Sequence, residues 1–108
     1  MIPRKFYFDP AAEGLAVFMG QTEAALMELA WRYEKLTVKK ALFHLDKQRL
    51  AYTTVMTVLS RLADKGMLVK KKEGRNYIYR PALDRDRFIK EKVMVVADCL
   101  KKNFKAAL

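Results

Sequence analysis

The stretch Thr53-Thr54-Val55-Met56-Thr57-Val58-Leu59-Ser60-Arg61-Leu62-Ala63-Asp64-Lys65-Gly66 decides the fold. Val55, Val58, Leu59 and Leu62 recur at the three-and-four spacing of one buried helix face. Gly66 suits the left-handed residue just beyond a helix end. A helix therefore opens at Thr53-Thr54 and closes at Lys65-Gly66. Its opposite side carries Thr53, Thr57, Ser60, Arg61 and Asp64, with Thr54 and Met56 near the margins.

Upstream, Val38, Ala41, Leu42 and Leu45 fall at i, i+3, i+4 and i+7, a short helix for which Thr37 is the natural N-cap. The connection from Lys47 to Tyr52 joins this helix to the one above. An earlier helix begins near Gln21-Thr22, with Thr22 as its N-cap, and runs to Trp31 or Tyr33. Its buried face draws on Ala25 or Leu26, Leu29 or Ala30, and Tyr33, with Trp31 as a core anchor or a plug beside it. Residues 1–20 hold Pro3, Pro10, Gly14 and Gly20 around Phe6, Tyr7 and Phe8, and read as an arm without regular structure that packs somewhere through its apolar content.

Downstream of Gly66, two runs, Met67 to Lys72 and Asn76 to Pro81, flank Glu73-Gly74-Arg75, the pattern of a β-hairpin with a cationic tip. Tyr77 and Tyr79 alternate along the second run and share a face, which favours hairpin packing over base stacking. Residues 84–108 form a long helical pattern in which Phe88 or Ile89, Val93, Val96 or Ala97, Leu100 and Phe104 make a stripe. A helix of roughly 22 residues reaches about 33 Å, beyond a small domain, so this stripe is expected to pair with a second copy rather than fold back as a lid. Phe6, Phe8, Leu15 and Phe18 of the arm are expected to cover part of that interface.

The whole chain has 108 residues, enough for one domain. Hydrophobic residues at 52% with only 4 Gly and 3 Pro exclude a disordered or collagen-like chain. Lys and Arg number 22 against 12 acidic residues, a net charge of +10 that points to a polyanionic partner. Charge is densest in residues 67–83, which hold five basic residues and one acidic. The single cysteine, Cys99, supports neither a disulfide framework nor a cysteine-based zinc site, and His44 has no partners at metal-ligand spacing. Ser60 has no paired base, and neither a carboxylate pair nor a glycine-rich phosphate loop is present, so no catalytic residue, metal or cofactor is expected. With no export signal and no apolar run of membrane-spanning length, a cytoplasmic protein without membrane contact is expected.

Helix, helix, helix, strand, strand is the order of a winged helix-turn-helix. The expected fold is mainly α with a small β-hairpin: residues 1–20 an arm, 21–83 a winged-helix DNA-binding domain, and 84–108 a dimerisation helix. In this architecture the polar side of the third helix enters a major groove and the wing reaches the backbone beside it. That places double-stranded DNA against Tyr52, Thr53, Thr54, Met56, Thr57, Ser60 and Arg61, with Lys70, Lys72, Arg75 and Tyr77 of the wing. Tyr52, Thr53 and Thr54 also read as a helix start capped by a hydroxyl, and Lys70 to Lys72 as a solvated strand edge.

The run from Leu50 to Leu68, followed by Lys72-Glu73-Gly74-Arg75-Asn76-Tyr77-Ile78-Tyr79-Arg80-Pro81, resembles the BlaI/MecI/CopY penicillinase repressor family of winged-helix regulators. Glu23 to Trp31 and Leu36-Thr37-Val38 match its pattern too, so the resemblance spans about residues 20–83. It implies a homodimeric repressor that binds an operator with dyad symmetry and is removed by an inducing signal, a protease or a ligand. Carried over by position, the groove-reading helix falls on Thr53, Thr54, Met56, Thr57 and Arg61, with wing contacts on Lys72, Arg75 and Tyr77. Met56 stands where some relatives carry Arg. The family's dimerisation part usually holds several helices, whereas residues 84–108 have room for one. Copper-responsive relatives carry a cysteine-rich tail, which Cys99 alone does not supply. Asn103-Phe104 resembles the dipeptide cut in some members. The alternative reading is a winged-helix protein-interaction module with only nonspecific affinity for nucleic acid.

Overall fold

Three helices, a hairpin and a fourth helix follow one another as α1 (Gln21–Tyr33), α2 (Val38–His44), α3 (Tyr52–Asp64), β1 (Leu68–Glu73), β2 (Asn76–Pro81) and α4 (Arg85–Asn103). The computed structural model describes residues 8–105. The order is that of a winged helix-turn-helix, with short 3-10 turns at Gly14–Val17 and Asp46–Gln48.

Local chemistry sets the helix ends. The N-cap of α1 is Gly20, whose carbonyl accepts from the Ala24 N–H at 2.8 Å, so Thr22 lies inside the first turn and does not cap. The Thr37 hydroxyl does cap α2, accepting from the Lys40 N–H at 3.1 Å. The N-cap of α3 is Ala51 and the helix starts at Tyr52, one position before the expected Thr53, with no side-chain cap on that turn. The capping role expected of the Thr53 and Thr54 hydroxyls is therefore corrected: both residues already lie within the helix. At the other end, Met67 N–H reaches the Leu62 carbonyl at 2.9 Å and Gly66 N–H reaches Ala63 at 3.0 Å. With Gly66 at φ 80 this is a Schellman closure, which turns the chain sharply into β1.

The core lies where α1, α3 and the hairpin meet. Leu26 and Met27 of α1, Leu36, Val55, Leu59 and Leu62 of α3, and Tyr79 of β2 are fully enclosed. On α1 the buried positions are Ala24, Leu26, Met27 and Ala30, while Tyr33 is half-buried and stacks on His44 with ring centroids 4.7 Å apart. The arm contributes Leu15 and Met19 to the core, and Gly14–Val17 is a regular turn where none was expected. Leu15 is thus not free to cover an interface, and Phe6 lies outside the described residues.

The strands pair antiparallel, with Lys70 opposite Tyr79, Lys72 opposite Tyr77, and Glu73 opposite Asn76. Gly74 at φ 63 makes the two-residue turn possible. The Asp84 carboxylate caps α4, accepting from the Arg87 N–H at 3.2 Å. The Trp31 indole N–H donates to the Leu83 carbonyl at 2.8 Å, and Arg85 forks onto Glu28 of α1 at 2.7 and 3.1 Å. Phe88, 5.8 Å from the Trp31 ring, is buried in the domain's own core, so the expectation that it belongs to an intermolecular stripe is corrected. Past Ile89 the helix leaves the core, giving a long axis of 55 Å.

Candidate nucleic-acid interface

Burial of Val55, Val58, Leu59 and Leu62 fixes the rotation of α3 about its axis. The residues between them must then point outward. Tyr52, Thr53, Thr54, Met56, Thr57 and Arg61 are exposed, as is Asp64. The first N–H groups of α3 have no partner within the helix and sit beside the Thr53 and Thr54 hydroxyls, an arrangement suited to phosphate oxygens. Ser60 is half-buried and turned toward the hairpin, its Oγ 3.5 Å from the Tyr79 hydroxyl and 3.4 Å from the Lys70 ammonium.

The wing stands beside this helix on the same side. The strand register puts Lys70, Lys72, Tyr77 and Tyr79 on one sheet face. One hollow of about 430 Å³ is bounded by Met56, Thr57, Ser60 and Arg61 of α3 and by Lys70 and Tyr77 of the wing. A second, of about 310 Å³, joins Lys39 of α2 and Tyr52 and Met56 of α3 to Arg75, Asn76 and Tyr77. Tyr77 and Met56 border both, so helix and wing form one continuous relief. Of the two tyrosines, Tyr79 is enclosed in the core and Tyr77 stays 45% exposed.

Charge follows the same relief. Among the described residues, Arg61, Lys72 and Arg75 form no salt bridge, whereas Lys35, Lys65, Arg85 and Arg87 do. An array of unpaired cations around a hydroxyl-lined helix can neutralise phosphates while small side chains approach base edges. Sequence reasoning missed Lys39 and Asn76. Lys39 sits two residues past the Thr37 cap, where only the fold reveals that the α2 start faces the wing tip.

Among the described residues no cluster of His, Cys, Asp or Glu could hold a metal ion. His44 is packed between Tyr33 and Phe43. On α4, the Cys99 carbonyl accepts from the Asn103 amide at 2.8 Å. Ile89 packs on the core, Val93, Leu100 and Phe104 are exposed, and Val96 is half-buried. Val93, Val96, Ala97 and Leu100 line a wholly apolar groove with Phe8 and Phe18 of the arm.

The family model for penicillinase repressors matches residues 19–108. The transcriptional regulator BlaI of Mycobacterium tuberculosis is 41% identical over 73 residues, covering 66% of this chain and 53% of that protein. The penicillinase repressor of Bacillus licheniformis is 29% identical over 75 residues, covering 68% and 59%. The chain spans a little over half the length of these relatives. Among solved structures, the DNA-binding domain of the repressor BlaI aligns with a TM-score of 0.55 at 29% identity, over 62% of this chain and 83% of that one. The monomeric form of Bacillus licheniformis BlaI in complex with the blaP half-operator aligns at 0.53 and 29%, over 63% and 84%.

Proposed function

Because the chain belongs to the penicillinase repressor family, we propose that it is a transcriptional repressor that binds a palindromic operator as a homodimer, with α3 in the major groove and the wing on the adjacent backbone. The observation that carries this reading is that the exposed α3 face shares its hollows with the wing, where Arg75 forms no salt bridge among the described residues. The monomeric form of Bacillus licheniformis BlaI, whose fold this chain resembles, was solved in complex with a half-operator, which supports DNA as the partner.

In this reading Thr53, Thr54, Met56, Thr57 and Arg61 meet base edges and nearby phosphates, with Tyr52 and Ser60 at the borders. Lys72 and Arg75 neutralise phosphates, and Tyr77 lies against the sugar-phosphate edge. Residues 21–83 read DNA and residues 84–108 join two copies through Ile89, Val93, Val96, Leu100 and Phe104. Phe8 and Phe18 add to the apolar surface of that joint. No helix among the described residues is long and apolar enough to cross a membrane, and a cytoplasmic location accompanies the proposal.

Selection of bound duplexes from a random library tests it. The expected product is a sequence motif with two-fold symmetry. An affinity for the selected duplex on the order of a thousandfold above that for random DNA marks specific binding. Equal affinity for both would favour a charged interaction module and overturn the repressor reading.

A further inference from the structure

Lys70 differs from the other wing cations. Its ammonium lies 4.3 Å from the centroid of the Tyr77 ring and 5.9 Å from that of Tyr79, and it donates to Ser60 Oγ of α3 at 3.4 Å. One lysine on β1 thus touches both β2 and the groove-facing helix. The register explains the reach: Lys70 stands opposite Tyr79, and Tyr77, two residues along, shares its sheet face. An ammonium over an aromatic face is held by the ring quadrupole, and its remaining donors fix direction.

We propose that Lys70 is a positioning residue: it clasps Tyr77 to Ser60, and so sets the angle between the wing and α3, instead of neutralising a phosphate. The inference rests on the reading of this side as the DNA-binding side. The consequence is a division of labour among neighbouring lysines. Lys72 supplies charge to any duplex. Lys70 holds the wing where helix and hairpin can engage one operator together, so its loss penalises the matched duplex more than a random one.

The test compares Lys70→Met, which keeps an unbranched apolar stem, with Lys72→Met. Binding is read by fluorescence anisotropy over a range of salt, using the duplex enriched by the wild-type protein and a scrambled duplex of equal length. Lys72→Met should weaken both duplexes and reduce the slope of log affinity against log salt by about 0.9. Lys70→Met should leave the slope unchanged and weaken the enriched duplex by about threefold or more relative to the scrambled one, the size expected for one exposed cation–π contact. Lys70→Arg should restore it.

A second readout needs no DNA. The Lys70 Hε protons should be shifted upfield by the Tyr77 ring in the free protein, and Tyr77→Leu should abolish that shift. An unshifted Hε signal, or a slope reduced as in Lys72→Met with both duplexes weakened alike, would overturn the proposal. If no duplex is enriched, the DNA reading falls separately, and the Hε signal still decides whether the clasp exists.

Discussion

Leu36 and Tyr79 exchange both backbone hydrogen bonds, Leu36 N–H to the Tyr79 carbonyl at 2.9 Å and Tyr79 N–H to the Leu36 carbonyl at 2.8 Å. Leu36 joins α1 to α2, so this single bridge makes the link before the helix-turn-helix a partner of the wing. Both side chains are enclosed. The base of the hairpin is therefore rooted in the core at Tyr79, while the contact that reaches from β1 to α3 is the one between Lys70 and Ser60.

Replacing Tyr79 with Ala should cost about 3 kcal/mol or more in urea unfolding, because a large enclosed ring is lost. Tyr79→Phe should cost less than about 1 kcal/mol, since the 3.5 Å approach of its hydroxyl to Ser60 is at the limit of a hydrogen bond. Equal losses in the two variants would show that the hydroxyl, not ring burial, holds the wing.

The root of α4 should respond to its anchors in proportion to their burial. Trp31→Phe keeps a ring beside Phe88 but leaves the Leu83 carbonyl without its donor, an expected loss of about 1 kcal/mol by denaturant titration. Glu28→Gln should cost about 1 kcal/mol at most, less at high salt, because the pair with Arg85 is largely exposed. The hydrogen bonds that Arg85 donates to Glu28 raise its guanidinium above the ordinary value, against the lowering effect of burial. A raised folded value means that this contribution is complete below the ordinary guanidinium pKa and fades only as pH climbs through the folded one. Titration of Arg85 should therefore leave stability near neutral pH unchanged.

Arg75→Ala should weaken enriched and scrambled duplexes together and lower the salt slope by about 0.9, the signature of one phosphate contact. Substituting Thr57 or Met56 should instead change the ranking among duplexes, with about 1–3 kcal/mol per altered base contact. Anisotropy titrations at two salt concentrations separate the outcomes. If Arg75→Ala discriminates between duplexes and Thr57→Ala does not, the roles of wing and helix are reversed.

Val93 and Leu100 are exposed on α4, yet they border an apolar groove with Phe8 and Phe18. Val93→Asp together with Leu100→Asp should convert a dimer to a monomer in sedimentation equilibrium while leaving the helical circular dichroism of the winged domain intact. Burying an unpaired carboxylate in an apolar joint is strongly unfavourable. A variant that sediments as the wild type does would remove this surface from the dimer contact.

The sequence made much of the fold legible where a repeated spacing or a stereochemical signal existed. Val55, Val58, Leu59 and Leu62 outline α3, Thr37 announces a capped start, and Gly66 takes the left-handed turn that closes the helix. What stayed hidden depends on depth and on isolated contacts. Alternation puts Tyr77 and Tyr79 on one face but does not say that only Tyr79 reaches the core. Helical spacing runs unbroken through Phe88 and Val93, although the first is enclosed and the second is not. A bridge one residue long, such as that of Leu36, has no period, and the Lys70–Ser60 contact spans elements whose approach only packing determines. The exposed α3 set was readable as a surface because its buried complement was readable as a core.

The most direct measurement is an amide chemical-shift titration of the labelled protein with the enriched duplex. Thr53, Thr54, Thr57 and Arg61 on α3 and Lys72 and Arg75 on the wing should shift together, at the same protein-to-duplex ratio, with Val93 and Leu100 little changed. Perturbations centred on α4 or on the outer side of α1, with these six amides still, would contradict the account.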